Sequence, residues 1–401
     1  MNVIYSILSH KLKEIKKNGS YRVFTPINRI ANHFPKAIHG ESGKEITIWC
    51  SNDYLGMGQS STAIRAMIEN VSHFGVGAGG SRNIGGTNQI HNALEIEMAD
   101  LHQKDAALIF PTGYSSNDVT LACLSRLLPD CVFISDEKNH ASIVNGLRQS
   151  SGTKKYIFKH NDVNDLDSIL RTIDITQPKI IVFESIYSMD GDVAPIVEIV
   201  ELARKYNALT YLDEVHAMGM YGAEGSGYAN KLEISNEIDI IQGTFAKAYG
   251  VIGGYIAGNQ ILIDAIRSFG NGFIFTTSLA PATVATILHN VQYLRHSDKE
   301  RCSLLEKTNE LRQMMIDNNI PLMSSSTTHI LPVLIGDSDV GTRVSGYLLK
   351  HHNIYIQAIN SPTVSKGTER LRINISPYHT REDMVELINA LKDTLRHYNL
   401  Y

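Results

Sequence analysis

A lysine stands where a strand of this sequence is predicted to end, in a position that allows covalent chemistry. Lys247 follows the apolar run D-I-I-Q-G-T in the segment G-T-F-A-K-A. A lysine amine forms a Schiff base with a carbonyl cofactor when its surroundings favour the neutral amine. An isolated lysine is more often a solvated surface charge, so this interpretation depends on the residues that accompany it.

An acidic residue and a histidine follow another predicted strand. Asp213 ends the run L-T-Y-L-D, and His216 comes three residues later in D-E-V-H. A buried carboxylate in this place can keep the pyridine nitrogen of pyridoxal phosphate protonated, which makes the ring an electron sink. His216 could then donate to the phenolic oxygen. The alternative is that Asp213 caps the next turn beside a core histidine. A metal site is disfavoured, because no cluster with ligand spacing surrounds the pair.

Two more strand ends carry groups suited to a phosphorylated aromatic ligand. The motif T-G-Y-S-S-N, residues 112–117, follows the run A-A-L-I-F and opens a predicted helix. Its backbone N–H groups and the helix dipole therefore predict an anion site for a cofactor phosphate. His140 follows V-F-I-S-D and could stack on a cofactor ring. A plain helix cap and an ordinary buried or capping histidine are the alternatives.

A glycine-rich segment matches the dinucleotide pattern without its context. Residues 75–80 read G-V-G-A-G-G, but residues 63–74 before them have helical character. The nicotinamide motif requires a strand, a tight turn and then a helix, so we reject it here. We predict a flexible substrate loop over 75–87, whose glycines let the backbone approach a ligand closely. A helix C-cap followed by a surface loop is the alternative.

These chemical groups need a sheet to position them, and the sequence predicts one of the α/β class. Short apolar runs rich in β-branched residues alternate with helical segments between residues 110 and 258, which favours a mainly parallel sheet covered on both faces. The predicted strands are A-A-L-I-F, V-F-I-S-D, Y-I-F-K-H, K-I-I-V-F-E-S, L-T-Y-L-D-E, D-I-I-Q-G-T and G-G-Y-I-A-G. In such sheets ligands bind at the carboxyl ends of the strands, which is where the polar residues stand.

The rest of the chain predicts smaller flanking pieces. Apolar residues recur at helical spacing over residues 4–16, which predicts an amphipathic helix packed on the body or on a partner subunit. The runs T-H-I-L-P-V-L-I, H-N-I-Y-I-Q and R-L-R-I-N-I precede a final helix over 381–398. We therefore predict an N-terminal helix and small-domain segment over 1–50, a large domain over 51–285 and a smaller α+β domain over 286–401.

Composition excludes several classes of function. The 401 residues carry 37 basic and 41 acidic side chains in no long run of one sign, which gives no electrostatic footprint for nucleic acid or anionic membrane. Small molecules are the expected partners. The four cysteines form no Cys-x-x-Cys pair, which disfavours a zinc site and a disulfide framework. With no signal peptide or apolar span long enough for a bilayer, we expect a cytoplasmic protein.

Seven motifs together carry a specific resemblance. They are S-N-D-Y-L-G, G-A-G-G-S-R-N-I, T-G-Y-S-S-N-D, N-H-A-S, F-E-S-I-Y-S-M-D-G-D, Y-L-D-E-V-H-A-M-G-M-Y-G and G-T-F-A-K-A-Y-G. In this order they resemble the α-oxoamine synthase family of fold-type I pyridoxal phosphate enzymes. The strings W-C-S-N-D-Y-L-G-M-G-Q, F-I-F-T-T-S, I-N-S-P-T-V and G-T-E-R-L-R most resemble the members that condense glycine with succinyl-CoA to give 5-aminolevulinate, CoA and carbon dioxide. The likeness runs from about residue 21 to residue 380.

The resemblance implies a fold-type I transferase with a seven-stranded large domain, and it assigns roles to individual residues. Lys247 would carry the cofactor, Asp213 pair with the pyridine nitrogen, His216 contact the ring oxygen and His140 stack on the ring. The further cofactor contacts that it implies are Gly113, Tyr114, Ser188 and Thr244, with Thr276 and Thr277 reaching the cofactor of a neighbouring subunit in a homodimer with shared active sites.

Substrate residues are also implied by the resemblance. Arg372 would fix the amino-acid carboxylate with Asn52 beside it. The positions that would hold the succinyl carboxylate are Arg22, Asn83, Ser135 and Thr363, and a guanidinium is apt for this. For Arg372 the alternative is a strand-end ion pair, and for Arg22 an exposed charge.

Two positions depart from the pattern of the members that use glycine. Ser81 replaces the usual threonine, which could leave room for an amino acid larger than glycine, although one carbon discriminates by only about 1–3 kcal/mol. Ser361 replaces the usual tyrosine and affects the fit of the acyl group or loop closure. The alternatives are a related synthase that uses alanine, serine or another acyl-CoA, and a catalytically silent cofactor-binding protein of the same fold.

Overall fold

The computed structural model describes residues 2–17, 19–128, 130–149 and 152–400. Its strands are β1 (Ile27–Arg29), β2 (Lys36–His39), β3 (Glu45–Ile48), β4 (Ala106–Phe110), β5 (Val132–Asp136), β6 (Lys154–Phe158), β7 (Lys179–Glu184), β8 (Leu209–Asp213), β9 (Ile240–Thr244), β10 (Gly254–Gly258), β11 (Ile330–Leu334), β12 (Ile354–Tyr355), β13 (Ala358–Ile359) and β14 (Arg370–Asn374). Its helices are α1 (Val3–Lys17), α2 (Ser61–Phe74), α3 (Gln89–Leu101), α4 (Gly113–Leu127), α5 (Ala141–Arg148), α6 (Val163–Leu170), α7 (Ile196–Lys205), α8 (Tyr228–Lys231), α9 (Gln260–Phe269), α10 (Asn271–Ile274), α11 (Pro281–His296), α12 (Lys299–Asp317), α13 (Ser338–His352) and α14 (Arg381–His397).

Two compact units make up the chain. One consists of Met1–Gln59, Met189–Asp192 and Cys302–Tyr401, and we call it the small unit. The other, the sheet unit, consists of Ser60–Ser188 and Val193–Arg301. The domain boundaries drawn from the sequence, after residues 50 and 285, remain a prediction.

The sheet unit contains the predicted mainly parallel sheet of seven strands. Its order is β4-β10-β9-β8-β7-β5-β6, and β10 alone runs antiparallel to its neighbours β4 and β9. All seven predicted strands are present, and only β6 is displaced, beginning and ending two residues before the predicted run. The predicted α/β class is therefore confirmed.

Both faces of this sheet are covered, as the near-continuous apolar strands predict. Along β5 the side chains alternate between two cores: Phe133 packs with Leu124 of α4 on one face, and Ile134 packs with Ile199 of α7 on the other. All five residues of β5 and all six of β7 are buried. The strand ends are thereby held in a rigid layer.

Register places two carboxyl groups side by side at the carboxyl edge of this sheet. Strands β7 and β8 are parallel, with Glu184 opposite Asp213. Both residues are buried. A pair of acids at adjacent strand ends is expensive to ionise together, which matters for the site described below.

The small unit has two sheets of its own. The strands β1, β2, β3 and β12 form one sheet, in which the only parallel pair of described strands is β3 with β12, and β11, β14 and β13 form an antiparallel sheet. The predicted strands over 328–335, 352–357 and 370–375 correspond to β11, β12 and β14. The predicted final helix is α14, whose N-cap Thr380 and Asp383 form a capping box.

Helix α1 is present as predicted, and none of its residues is buried. Its apolar side chains Ile4, Ile7 and Leu8 are each more than half exposed. Of the two packing partners considered for this helix, the body of the same chain therefore leaves every residue of α1 exposed. Across the described ranges, no helix combines the length and apolar character that crossing a bilayer requires.

The glycine-rich segment follows a helix, as predicted when the dinucleotide motif was rejected. Helix α2 ends at Phe74 and is capped by Gly75, and Arg82–Gly86 forms a single wide helical turn. Ser81 then makes an antiparallel bridge with Thr277. A strand does not precede residues 75–80, so the pattern lacks its nucleotide-binding context.

Candidate functional site

The lysine of the predicted site lies in the turn after β9, close to a histidine from the turn after β8. Lys247 is partly buried, and its Nζ is 3.1 Å from Nε2 of His216. His216 is buried. The two strands are parallel neighbours, so their carboxyl ends bring these residues together although 31 positions separate them. The arrangement suits proton exchange between an amine and an imidazole.

Asp213 is held from both of its carboxylate oxygens. Its Oδ1 accepts from the backbone N–H of Val215 at 2.9 Å, and its Oδ2 accepts from Nδ2 of Asn117 at 2.8 Å. Only a small part of Asp213 reaches the surface. These two donors fix the plane of the carboxylate at the end of β8.

Glu184, the neighbour of Asp213 across the strand ends, anchors the segment that carries His140. Its Oε1 accepts from the backbone N–H of His140 at 2.6 Å. Burial, and secondly the Asp213 carboxylate, raise the pKa of Glu184 well above its ordinary value. Burial and the neighbouring carboxylate thus both disfavour the charged form of Glu184.

His140 caps the N-terminus of α5 and has an exposed side chain. Its Nδ1 accepts from the backbone N–H of Ser142 at 3.2 Å. Although solvent reaches the ring, the protein around it lowers the pKa of the imidazole by desolvation; the Asp213 carboxylate opposes this and Lys247 adds to it. Tyr114 approaches edge-on, with ring centroids 6.3 Å apart. A neutral ring with an open face is suited to stacking.

The predicted phosphate site lies at the N-terminus of α4. Thr112 caps the helix in a capping box with Ser115, and Gly113 and Tyr114 form its first turn. A Cβ on Gly113 would lie 2.8 Å from Oγ1 of Thr244, so only glycine fits this contact. Thr244 in turn donates to the carbonyl of Gly253 at 2.8 Å. The N-terminus of a 15-residue helix thus lies against the end of β9, and an anion is favoured at such a terminus.

The sheet unit also carries the remaining cofactor and acyl positions. Ser188 ends the segment after β7, and Thr276 stands beside Thr277, which pairs with Ser81. Asn83 is exposed in the turn that follows Ser81. Ser135, by contrast, is buried inside β5, where its hydroxyl accepts from Nδ2 of Asn139 at 2.9 Å.

The small unit brings its predicted residues together in two pairs. Arg372 of β14 is buried, and it donates from Nη1 to Oδ1 of Asn52 at 2.8 Å and from Nη2 to the hydroxyl of Tyr54 at 2.7 Å. Burial raises the pKa of Tyr54, and the nearby Arg372 opposes this. Arg22 and Thr363 are exposed, and Nη2 of Arg22 donates to the Thr363 hydroxyl at 3.3 Å. The members of each pair are more than 300 residues apart in sequence.

Three polar residues of the site received no individual role from the sequence: Asn117, Ser142 and Glu184. Asn117 had a usable signal, since it stands four residues after Gly113 and therefore shares its face of α4. Ser142 stands two residues after His140 at a helix start, a position where hydroxyls commonly bond locally. Glu184 ends a predicted strand, and only its register with Asp213 shows its importance.

The chain is similar to known proteins over nearly its whole length. Residues 44–391 match the family model described as aminotransferase class I and II. The chain is 48% identical over 391 residues to a 5-aminolevulinate synthase of Rickettsia prowazekii, covering 98% of this chain and 94% of that protein. It is 49% identical over 382 residues to a 5-aminolevulinate synthase of Bradyrhizobium diazoefficiens, covering 95% and 93%.

Solved structures agree with this grouping. A serine palmitoyltransferase of Sphingomonas wittichii superposes with a TM-score of 0.89 at 27% identity, over 98% of both chains. A serine palmitoyltransferase of S. paucimobilis, solved with a bound PLP–myriocin aldimine, superposes with a TM-score of 0.91 at 28% identity over the full length of both chains. The resemblance inferred from the seven motifs, and the fold-type I architecture that it implies, are thus confirmed by all three comparisons.

Proposed function

Because this chain belongs to the aminotransferase class I and II family, and within it to the α-oxoamine synthases, we propose that it condenses glycine with succinyl-CoA. The products are 5-aminolevulinate, CoA and carbon dioxide. The observation that carries this proposal is the identity of about half of all residues with 5-aminolevulinate synthases over nearly the whole chain. The enzyme is then an acyltransferase that depends on pyridoxal phosphate.

The residues of the sheet unit fit this cofactor. The Gly113 turn, which a Cβ would fill, and the N-terminus of α4 are suited to the phosphate, and Lys247 lies at the end of the neighbouring strand β9. Asp213, Ser188 and Thr244 would contact the ring and phosphate, with His140 stacked on the ring. When bound, pyridoxal phosphate supplies an electron sink for the negative charge that develops at the substrate α-carbon.

Lys247 is proposed to move the protons of the reaction. Its Nζ would take the α-proton of glycine and return a proton to the same carbon after carbon dioxide has left. His216, 3.1 Å from Nζ, would hold the amine in place and donate to the phenolic oxygen of the cofactor. Between these two transfers, the glycine α-carbon bonds to the succinyl carbonyl carbon, the C–S bond breaks and CoA leaves as a thiolate. The bond from the α-carbon to the glycine carboxylate then breaks.

The small unit is proposed to hold the carboxylates of both substrates. Arg372, oriented by Asn52 and Tyr54, would bind the glycine carboxylate, because a guanidinium binds a carboxylate with two parallel hydrogen bonds. Arg22 and Thr363 would bind the succinyl carboxylate. For Asn83 and Ser135, which belong to the sheet unit, a role in acyl binding remains a prediction. Because the Ser135 hydroxyl already accepts a hydrogen bond from Asn139, the case for Ser135 as an acyl-binding residue is the weakest of the four.

A homodimer with shared active sites completes the proposal. Thr276 and Thr277 would reach the cofactor phosphate of the second subunit. The exposed Phe275 beside them and the exposed apolar face of α1 support such an interface, since large exposed apolar groups commonly mark contact surfaces. We also propose a cytoplasmic location and a role in supplying a tetrapyrrole precursor.

A related synthase activity is the second candidate. It is supported by Ser81, which replaces the threonine usual in enzymes that use glycine, and by the close superposition on serine palmitoyltransferases. Ser81 pairs with Thr277 at the loop that follows α2, where a missing methyl group enlarges the space for an amino-acid side chain. Alanine or serine would then compete with glycine.

The test is CoA release from succinyl-CoA by the cofactor-loaded protein, with glycine, alanine and serine in parallel and each product identified by mass. Release with glycine and a product of the mass of 5-aminolevulinate supports the main proposal. Release only with alanine or serine supports the related activity instead. No release with any of the three excludes both for succinyl-CoA and leaves other acyl-CoAs or a silent binding protein.

A further inference from the structure

A buried asparagine connects two residues of the proposed cofactor site. Asn117 of α4 is 1% exposed, and its Nδ2 donates to Oδ2 of Asp213 at 2.8 Å and to Oγ of Ser142 at 3.0 Å. Its Oδ1 accepts from the hydroxyl of Tyr211 at 2.8 Å. An ionised carboxylate only accepts hydrogen bonds, so the amide nitrogen of Asn117 must face Asp213 and the carbonyl oxygen must face Tyr211.

The connection continues from Ser142 to the ring of His140. The Ser142 hydroxyl lies 2.7 Å from Nδ1 of His140, and the backbone N–H of Ser142 donates to the same atom. A backbone N–H is only a donor, so this nitrogen carries no proton. The hydroxyl of Ser142 accepts from Asn117 and therefore has its own hydrogen available for Nδ1. A neutral ring then carries its proton on Nε2.

We propose that Asn117 and Ser142 are positioning residues that hold His140 as the neutral imidazole protonated at Nε2 and fix the orientation of the Asp213 carboxylate. This inference rests on the proposed function only for the roles of His140 and Asp213. The hydrogen bonds themselves belong to the protein without cofactor, and they can be tested there.

The charges around His140 act on the ring whether or not Ser142 is present. Asp213 favours its protonation, Lys247 and desolvation oppose it, and Glu184 contacts the backbone N–H rather than the ring. Removing the Ser142 hydroxyl takes away a donor that stabilises only the neutral form. The pKa of His140 should therefore rise in Ser142→Ala.

The measurement is NMR of the cofactor-free protein labelled only in its histidine side chains, with His140→Gln used to assign the resonance. In the wild type we expect the ring proton on Nε2. In Ser142→Ala the titration midpoint of His140 should rise by about half to one pH unit, the equivalent of one neutral hydrogen bond. Tyr211→Phe is the matched control, because it keeps both donors of Asn117 and should leave the midpoint unchanged.

A second readout separates the two ends of the connection. Asn117→Ala alone would take away the oxygen that accepts from the buried Tyr211 hydroxyl, so the variant to use is Asn117→Ala with Tyr211→Phe, which removes both partners. It should raise the His140 midpoint and also weaken binding of pyridoxal phosphate about tenfold or more, since it removes a hydrogen bond to the charged Asp213. Ser142→Ala should raise the midpoint and change cofactor affinity less than threefold or so.

Three outcomes would overturn the inference: a wild-type ring protonated at Nδ1, an unchanged midpoint in both variants, or equal cofactor affinities for the double variant and Tyr211→Phe. A protein that shows the expected shifts but releases no CoA from succinyl-CoA keeps this inference and loses the proposed function. The two proposals can therefore fail separately.

Discussion

The proposed glycine carboxylate site predicts a specific cost for Arg372→Lys. In the structure the guanidinium of Arg372 donates two hydrogen bonds to protein side chains, Asn52 and Tyr54, and these orient the planar group. A lysine ammonium keeps the charge but is a point donor that cannot form the fork. We therefore expect the loss of one charge-assisted hydrogen bond to the substrate carboxylate, worth about 1.5–3 kcal/mol.

That loss corresponds to a fall of about 10- to 150-fold in kcat/KM for glycine at saturating succinyl-CoA. The assay is initial-rate CoA release over a range of glycine concentrations, with the KM for succinyl-CoA measured in parallel. Tyr54→Phe is the matched control: it removes one orienting contact and keeps the guanidinium, so its loss should be several-fold smaller. If Arg372→Lys leaves kcat/KM for glycine within about twofold of the wild type, Arg372 does not bind the carboxylate and the reasoning is refuted.

Three further predictions follow from the site. Lys247→Ala should abolish turnover while circular dichroism shows an unchanged fold, and near-normal turnover would remove Lys247 from the mechanism. Arg22→Leu should lower kcat/KM for succinyl-CoA far more than for butanoyl-CoA, whose acyl group lacks the carboxylate; equal losses would exclude Arg22 from the acyl site. Glu184 gives a pH dependence: because its pKa is raised in the folded protein, its contribution to stability is complete below about 4.5 and is lost as pH rises through the folded pKa. Relative to Glu184→Gln, the cofactor-free wild type should lose up to about 1.4 kcal/mol of stability per pH unit across that range, as followed by thermal unfolding. A pH-independent difference would mean that folding does not raise the pKa of Glu184.

The architecture of the sheet unit was predictable because each of its strands is a short apolar run that can be recognised in the sequence alone. The run K-I-I-V-F-E is buried on both faces, and such runs differ from the amphipathic helices between them. The positions of Asp213 and Lys247 followed, since strand ends of a parallel sheet meet at one edge. Strand direction had no such signal, and the antiparallel course of β10 became visible only in the structure.

The polar connections within the site had no comparable signal in the sequence. Asn117 meets Asp213 across 96 positions and Arg372 meets Asn52 across 320. Which buried amide faces which carboxylate depends on how α4 packs against the sheet, where it contacts β9 and β10, and periodicity does not encode that approach. For Arg372 and Arg22, the spacing of residues alone assigns no role. The family resemblance assigned them to the two substrate carboxylates, and these roles remain predictions.

The composition of the small unit has a consequence for how the chain is made. It is assembled from the first 59 residues, four residues from the middle and the last hundred, and the pairing of β3 with β12 joins Thr47 to Ile354. During synthesis the N-terminal strands leave the ribosome long before β12 and β14 exist, whereas the sheet unit is nearly continuous in sequence. The sheet unit can therefore form first. The apolar side chains of β3 stay without their β12 partner until the C-terminal segment has been synthesised. Nascent chains arrested before residue 354 should accordingly expose this strand to chaperones.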